Sequence, residues 1–346
     1  MRRFIVVGAS VLGAAALAVA GAAALRASSR ERTAAGEPST PPAEPDTEAG
    51  TMPSGAPAVS AAESEPGQPV EVDMRNVDLR LTGGIVIHVY ALRGRFRTTR
   101  SGQAPFLDDR DSYSLQIDGG RMAMSMGSLN TLLNQRVLGK ERSNVKKVEA
   151  SVDDGQIKQK GVVHKGLDLP FKTKSEVSAT ADGRIRVHTK SVKMGFLPVK
   201  PIMKLFSIEM DDMVKVKPGH GAVVQDNDIL LSPGQMLPPP RMNGKLRRVW
   251  LQGDSVMQDF GPVSPLAPAA IGKNHIYWRG GDLRFGKLTM DGTDLELIDL
   301  DPGDPFDFSV DHWDEMLVAG FSKNQPNQGL KTYMPDYGDL QAGRRR

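Results

Sequence analysis

The chain contains no cysteine. Disulfides, thiolate metal sites and cysteine nucleophiles are thereby excluded, as is the lipid-bearing cysteine of a bacterial lipoprotein. Aromatic residues make up only 5%, which leaves few platforms for stacking single-stranded nucleic acid. Charge of one sign is also missing. Lys and Arg number 44 against 41 Asp and Glu, a net charge of +3, without the broad cationic field that nucleic-acid binding needs. No glycine-rich loop leads into Lys-Ser/Thr, and there is no Gly-x-Ser-x-Gly elbow, so neither phosphate-loop nor serine-nucleophile chemistry finds support. His88, His164, His188, His220, His275 and His312 never fall two, three or four residues apart, so no local metal pair exists.

What is present begins at the N-terminus. Arg2 and Arg3 precede an apolar run from Phe4 to Leu25, and Arg26, Arg30 and Arg32 follow it. The run matches the roughly 20 residues needed to cross a bilayer core. Residues 1–26 read either as a signal anchor, with Arg2 and Arg3 cytoplasmic, or as a cleavable signal peptide with a site near Ala18-Val19-Ala20. Both export the remaining chain: an inner-membrane, single-pass protein with a periplasmic body, or a periplasmic protein if cleaved. Residues 27–69 are rich in Pro, Ala, Ser, Thr and Glu, a composition that buries too little apolar surface to offset ordering entropy and reads as a disordered linker.

From Val70 the pattern becomes that of strands and tight turns. A strand leads to Gly83-Gly84 and the β-branched run Ile85 to Leu92. Ser112 to Ile117 and the alternating Met122, Met124 and Met126 predict a hairpin around Asp118-Gly119-Gly120. Hairpins also follow from Asp153-Asp154-Gly155, Asp182-Gly183 and Asp226-Asn227, and a strand from Arg241 to Leu251 turns at Gly253-Asp254. Helices are predicted at Leu129 to Val137, from Pro198 or Pro201 through Met210, and as a short turn at Pro233 to Leu237. The expected fold class is α+β: a curved antiparallel sheet of hairpins with two to three amphipathic helices, because tight turns join only antiparallel strands. Residues 70–262 form the main domain. After the proline-rich break at Pro262 to Pro268, residues 263–346 form a β-rich C-terminal extension, favoured as a continuation of the same sheet. It contains a helix over Trp313 to Phe321 and a last strand over Leu330 to Met334.

Few residues point to chemistry. Asp108-Asp109, Asp153-Asp154 and Asp211-Asp212 are acidic pairs, but glycosidase action needs two carboxylates flanking one bond. Asp299 to Asp304 resembles a calcium loop only loosely, lacking spaced ligands and a closing Glu, and reads as an acidic turn. His88 in its apolar strand reads as a structural histidine. The methionines Met122, Met124, Met126, Met194, Met203, Met210 and Met213 suit core packing or an adaptable apolar site. No catalytic residue, cofactor or metal ligand is expected.

Certain runs are similar to a known family. Asn130-Thr131-Leu132-Leu133-Asn134, Val148 to Lys165, Gly166-Leu167-Asp168-Leu169-Pro170-Phe171, Asp182 to Val187 and Leu197-Pro198-Val199-Lys200 with Leu205-Phe206 resemble the tubular lipid-binding (TULIP-like) superfamily. Among bacterial members the likeness is to the LmeA-like and AsmA-like periplasmic kind. It covers roughly Val72 to Phe260 and implies a lipid-binding or lipid-transfer module of the cell envelope, non-catalytic, with lipid as ligand and the membrane as partner. Leu129, Leu132, Leu133, Leu205 and Phe206 are then expected to line an apolar cavity. The alternative is an envelope scaffold with a solid β core whose C-terminal extension docks a partner protein.

Overall fold

The computed structural model describes residues 68–134, 145–164, 168–194, 197–198, 222–225, 228–261, 274–326 and 329–343. The N-terminal apolar run, the linker to Gly67, most of the helix expected beyond Pro198 and the break at Pro262 to Pro268 lie outside these residues. Among the described residues no helix is long and apolar enough to cross a membrane.

The fold is β-rich α+β, with two main sheets and four short helices among the described residues. The strands in chain order are β1 (Glu71–Leu81), β2 (Ile85–Thr98), β3 (Tyr113–Ser125), β4 (Val145–Asp153), β5 (Gln156–His164), β6 (Asp168–Ala179), β7 (Ile185–Met194), β8 (Leu197–Pro198), β9 (Ala222–Gln225), β10 (Asp228–Leu231), β11 (Arg241–Gly244), β12 (Leu246–Gln252) and β13 (Ser255–Phe260). Then come β14 (His275–Arg279), β15 (Leu283–Phe285), β16 (Leu288–Met290), β17 (Asp294–Asp299), β18 (Phe306–Ser309), β19 (Phe321–Asn324) and β20 (Leu330–Met334). The helices are α1 (Met126–Leu132), α2 (Pro233–Met236), α3 (Trp313–Ala319) and α4 (Tyr337–Gln341).

The larger sheet runs β12-β13-β3-β2-β1-β14-β17-β20-β19, and the second runs β4-β5-β6-β7-β10-β9 with β8 on β7. Thus β14, β17, β20 and β19 continue the larger sheet outward from β1. The chain leaves this sheet through β3 and α1, builds the second sheet, and returns through α2 to β11. Alternation explains why β2 persists past Leu92 to Thr98: Leu92, Gly94 and Phe96 point inward while Arg93 and Arg97 are exposed.

Several expectations need correction. There is no hairpin at Asp118-Gly119-Gly120, because β3 runs unbroken from Tyr113 to Ser125. Its pairing with β2 steps from Arg93↔Gly119 to Gly94↔Ile117, so Asp118 is the extra residue of a β-bulge. Gly120 completes it: φ is +151°, and a Cβ there would stand 2.4 Å from the Ala91 carbonyl oxygen. Pairing is not purely antiparallel either. β18 runs parallel to β1, β11 to β3 and β20 to β17. The long strands β1 and β3 are each shared by two short partners on one side, β14 and β18 on β1, β13 and β11 on β3. The strand expected from Arg241 to Leu251 is accordingly two, β11 and β12, which join different neighbours. Pro198 belongs to β8 rather than to a helix. Helix α3 stops at Ala319, since a Cβ on Gly320 would lie 2.0 Å from the Tyr333 carbonyl oxygen, and Phe321 opens β19.

Candidate functional site

Where the two sheets face each other, α1 closes one side of an apolar interior. The helix begins because Ser125 caps it, its Oγ accepting from the Ser128 amide at 3.1 Å. It is fixed to the larger sheet by two bonds: the Val86 amide donates to Ser128 Oγ at 3.1 Å, and the Met126 amide donates to the Asp254 carbonyl at 2.9 Å. Its other side meets β4, the last strand of the second sheet. Asn130 Nδ2 donates to the Ala150 carbonyl at 2.9 Å while the Ala150 amide donates to Asn130 Oδ1 at 2.7 Å. Asn134 repeats the arrangement one helical turn on, with the Val148 carbonyl at 2.6 Å and the Val148 amide at 3.0 Å. Two side-chain amides therefore pair the edge of β4 as a neighbouring strand would.

This docking turns Leu129, Leu132 and Leu133 toward a cavity of about 90 Å³. Ile87, Ile117, Met122, Met124 and Val256 face it from the larger sheet, and Ile157, Val177, Ile185, Val187 and Leu231 from the second. Pro233, Met236 and Leu237 close the side at α2. Among the described residues Gln258 is the single polar one on the wall. A cavity of this kind stays dry, because water needs two to four polar partners. Leu132 and Leu133 are buried, whereas Leu129, Met236 and Leu237 are only half-buried, so the helical side is where the interior meets its surroundings.

Of the five residues expected around a cavity, Leu129, Leu132 and Leu133 lie on its wall, while Leu205 and Phe206 lie outside the described residues. Met122 and Met124 also face it, but Met126 starts α1 and is buried apart from it. The contributions of β5, β6, β7 and β10 were not foreseen. Each is an inward position of an alternating strand, a signal that marks burial without saying what lies opposite.

The polar features have structural partners. His88 Nδ1 lies 2.7 Å from Asp78 Oδ1 across β1 and β2, and His188 Nδ1 lies 2.6 Å from Asp228 Oδ1. The acidic run behaves as a turn: Asp299 Oδ1 accepts from the Asp301 amide at 2.7 Å, and Asp299 Oδ2 accepts from Asn274 Nδ2 at 2.8 Å. Burial raises the pKa of Asp299. Nearby, burial pushes the Asp336 carboxyl up to about 7, and the charges of Asp299, Asp304 and Asp307 add to the rise. Among the described residues no group of three or more His, Asp or Glu could hold a metal ion. The histidines and the acidic turn are thus held by structural partners, and the apolar cavity stands apart from them. No family model, curated protein or solved structure matches the chain.

Proposed function

We propose that this protein is a non-catalytic module of the bacterial cell envelope that takes an apolar chain, such as a lipid acyl chain, between its two sheets. In this reading the Phe4 to Leu25 run tethers or exports it, and the sheets with their helices form the binding body. The observation that carries the proposal is the cavity behind α1, walled by aliphatic and methionine side chains and Phe260, with Gln258 as the one polar residue among the described residues. Pockets lined this way with few polar groups suit apolar ligands, and the flexible thioethers of Met122, Met124 and Met236 can re-pack around a guest.

A second reading, an envelope scaffold with a solid core, draws on the size of that cavity. About 90 Å³ is smaller than the ~150 Å³ apolar cavity that takes up a benzene, room for the end of an acyl chain and not for its length.

Native mass spectrometry of the full chain, extracted gently from its own host, separates the two. Co-purifying lipid that disappears in Leu133→Trp, with the fold retained by circular dichroism, is the expected result. A bare wild-type mass under conditions that preserve lipid on other membrane proteins refutes the cargo reading and leaves the scaffold.

A further inference from the structure

The outward face of the second sheet carries a charge pattern that works against folding. Lys160 on β5, Lys172 on β6 and Lys193 on β7 stand directly opposite one another across three adjacent strands, and Lys158 stands opposite Lys174. Like charges in directly opposed positions weaken a sheet. Other cations of this sheet are matched: Arg186 Nε lies 2.5 Å from Asp228, and Lys190 Nζ lies 3.0 Å from Glu176. Within the lysine rungs, matching stops at the β4 side, where Lys158 pairs with Asp153 and Lys160 with Glu149 at 3.1 Å. Lys172, Lys174 and Lys193 are exposed and have no ion-pair partner among the described residues. They border a shallow depression of about 300 Å³ that includes Ser151 and Ser191 and, among the described residues, no aromatic.

We propose that this face docks on a membrane surface bearing anionic phospholipid headgroups, with the free lysines meeting lipid phosphates. A sheet face presents its cations in a plane, as a bilayer presents its phosphates, and the missing aromatics remove the stacking that single-stranded nucleic acid would use. Charge elsewhere sets the orientation. A groove beside β19 and α3 is lined by Asp301, Asp314, Glu315, Asp336 and Asp339, with no Lys or Arg among the described residues of its lining. β19 ends the larger sheet at the side away from β12, the strand that packs on β6. An anionic surface attracts the lysine face and repels the acidic groove. The inference is independent of what fills the cavity.

The test uses the full chain reconstituted in vesicles of phosphatidylcholine, alone or mixed with phosphatidylglycerol, with amine labelling read residue by residue by mass spectrometry. Each lysine near an anionic surface is worth about a fivefold preference. Labelling of Lys172, Lys174 and Lys193 is expected to fall at least about fivefold in the anionic vesicles and to recover in high salt. Lys245 and Lys287, exposed elsewhere, keep their reactivity. In K172Q/K174Q/K193Q, or in K193Q alone if the triple variant folds poorly, Lys160 loses its protection. Equal labelling in both lipid mixtures overturns the proposal. So does protection by inorganic phosphate in neutral vesicles, which marks a free-anion site, or uniform protection that includes Lys245 and Lys287.

Discussion

Asn130 and Ala150 exchange two hydrogen bonds, side-chain amide against main chain, and so join a helix issuing from one sheet to the edge of the other. Ala150 is 2% exposed, so its amide and carbonyl have no water to fall back on. Asn130→Ala is expected to destabilise the chain by about 1–3 kcal/mol for each main-chain group left unsatisfied, read as a lower urea midpoint. Thr131→Ala, which removes an exposed bond to the Gly127 carbonyl within the same helix, should stay within about 0.5 kcal/mol. Equal effects would show that the clamp carries no energy.

Leu133 is fully buried against the cavity. Leu133→Ala should cost about 2–5 kcal/mol, since the removed methyl groups leave an enlarged void that the rigid sheets cannot collapse. Denaturant unfolding measures the loss, and a xenon-pressurised crystal should show the gas bound in the enlarged space.

Two glycines with positive φ separate backbone strain from steric exclusion. Gly84 has φ +76° and open space where a Cβ would stand, whereas at Gly120 the Cβ would meet Ala91 and Leu92 main-chain atoms at 2.4 and 2.8 Å. Gly84→Ala should cost about 1–2 kcal/mol from the left-handed conformation alone. Gly120→Ala should cost clearly more, because main-chain atoms cannot swing aside, and should disturb amide shifts in both β2 and β3.

Burial holds Asp336 up to about 7 against an ordinary value of 3.8. Between those limits the folded chain keeps a proton that the unfolded chain has released, so stability should fall as pH rises through this window and be greatest below it. Asp336→Asn, which keeps an acceptor for the Asp307 amide, should raise Tm at pH 8 and flatten its slope from pH 5 to 8. A smaller slope of the same sign remains from Asp299. Asp73 acts oppositely. Burial raises its pKa, but the His275 imidazole 3.5 Å away, the hydrogen bond from Arg93 and the charge of Arg75 outweigh this and lower it, so its contribution is lost in acid. An unchanged slope in Asp336→Asn would refute the assignment.

Much of the fold was legible because local chemistry dictates it. Asp154 and Gly155 both have positive φ, at 51° and 69°, as the tight turn between β4 and β5 requires, and Gly183 serves β6 and β7 in the same way. Asp118-Gly119-Gly120 carries the same signal yet forms a bulge, because β2 is long enough to pair on both sides of it. The parallel partners of β1, β3 and β17 were not legible, since distant segments meet there without a turn to announce them. β19 is exposed at every position, so it has no alternation to read. The leucines of α1 could be read from their helical spacing. The asparagine clamp could not, because its partners are main-chain groups on β4 that any sequence would supply.

The chain crosses between its sheets at α1 on the way out and at α2 on the way back, and both crossings border the same void. A guest too bulky for the resting space has to pry the layers apart, loading both hinges together. One hinge is riveted by paired asparagines. The other is a single turn whose Ser232 makes no side-chain cap bond, so under the proposed cargo reading widening falls to the α2 side.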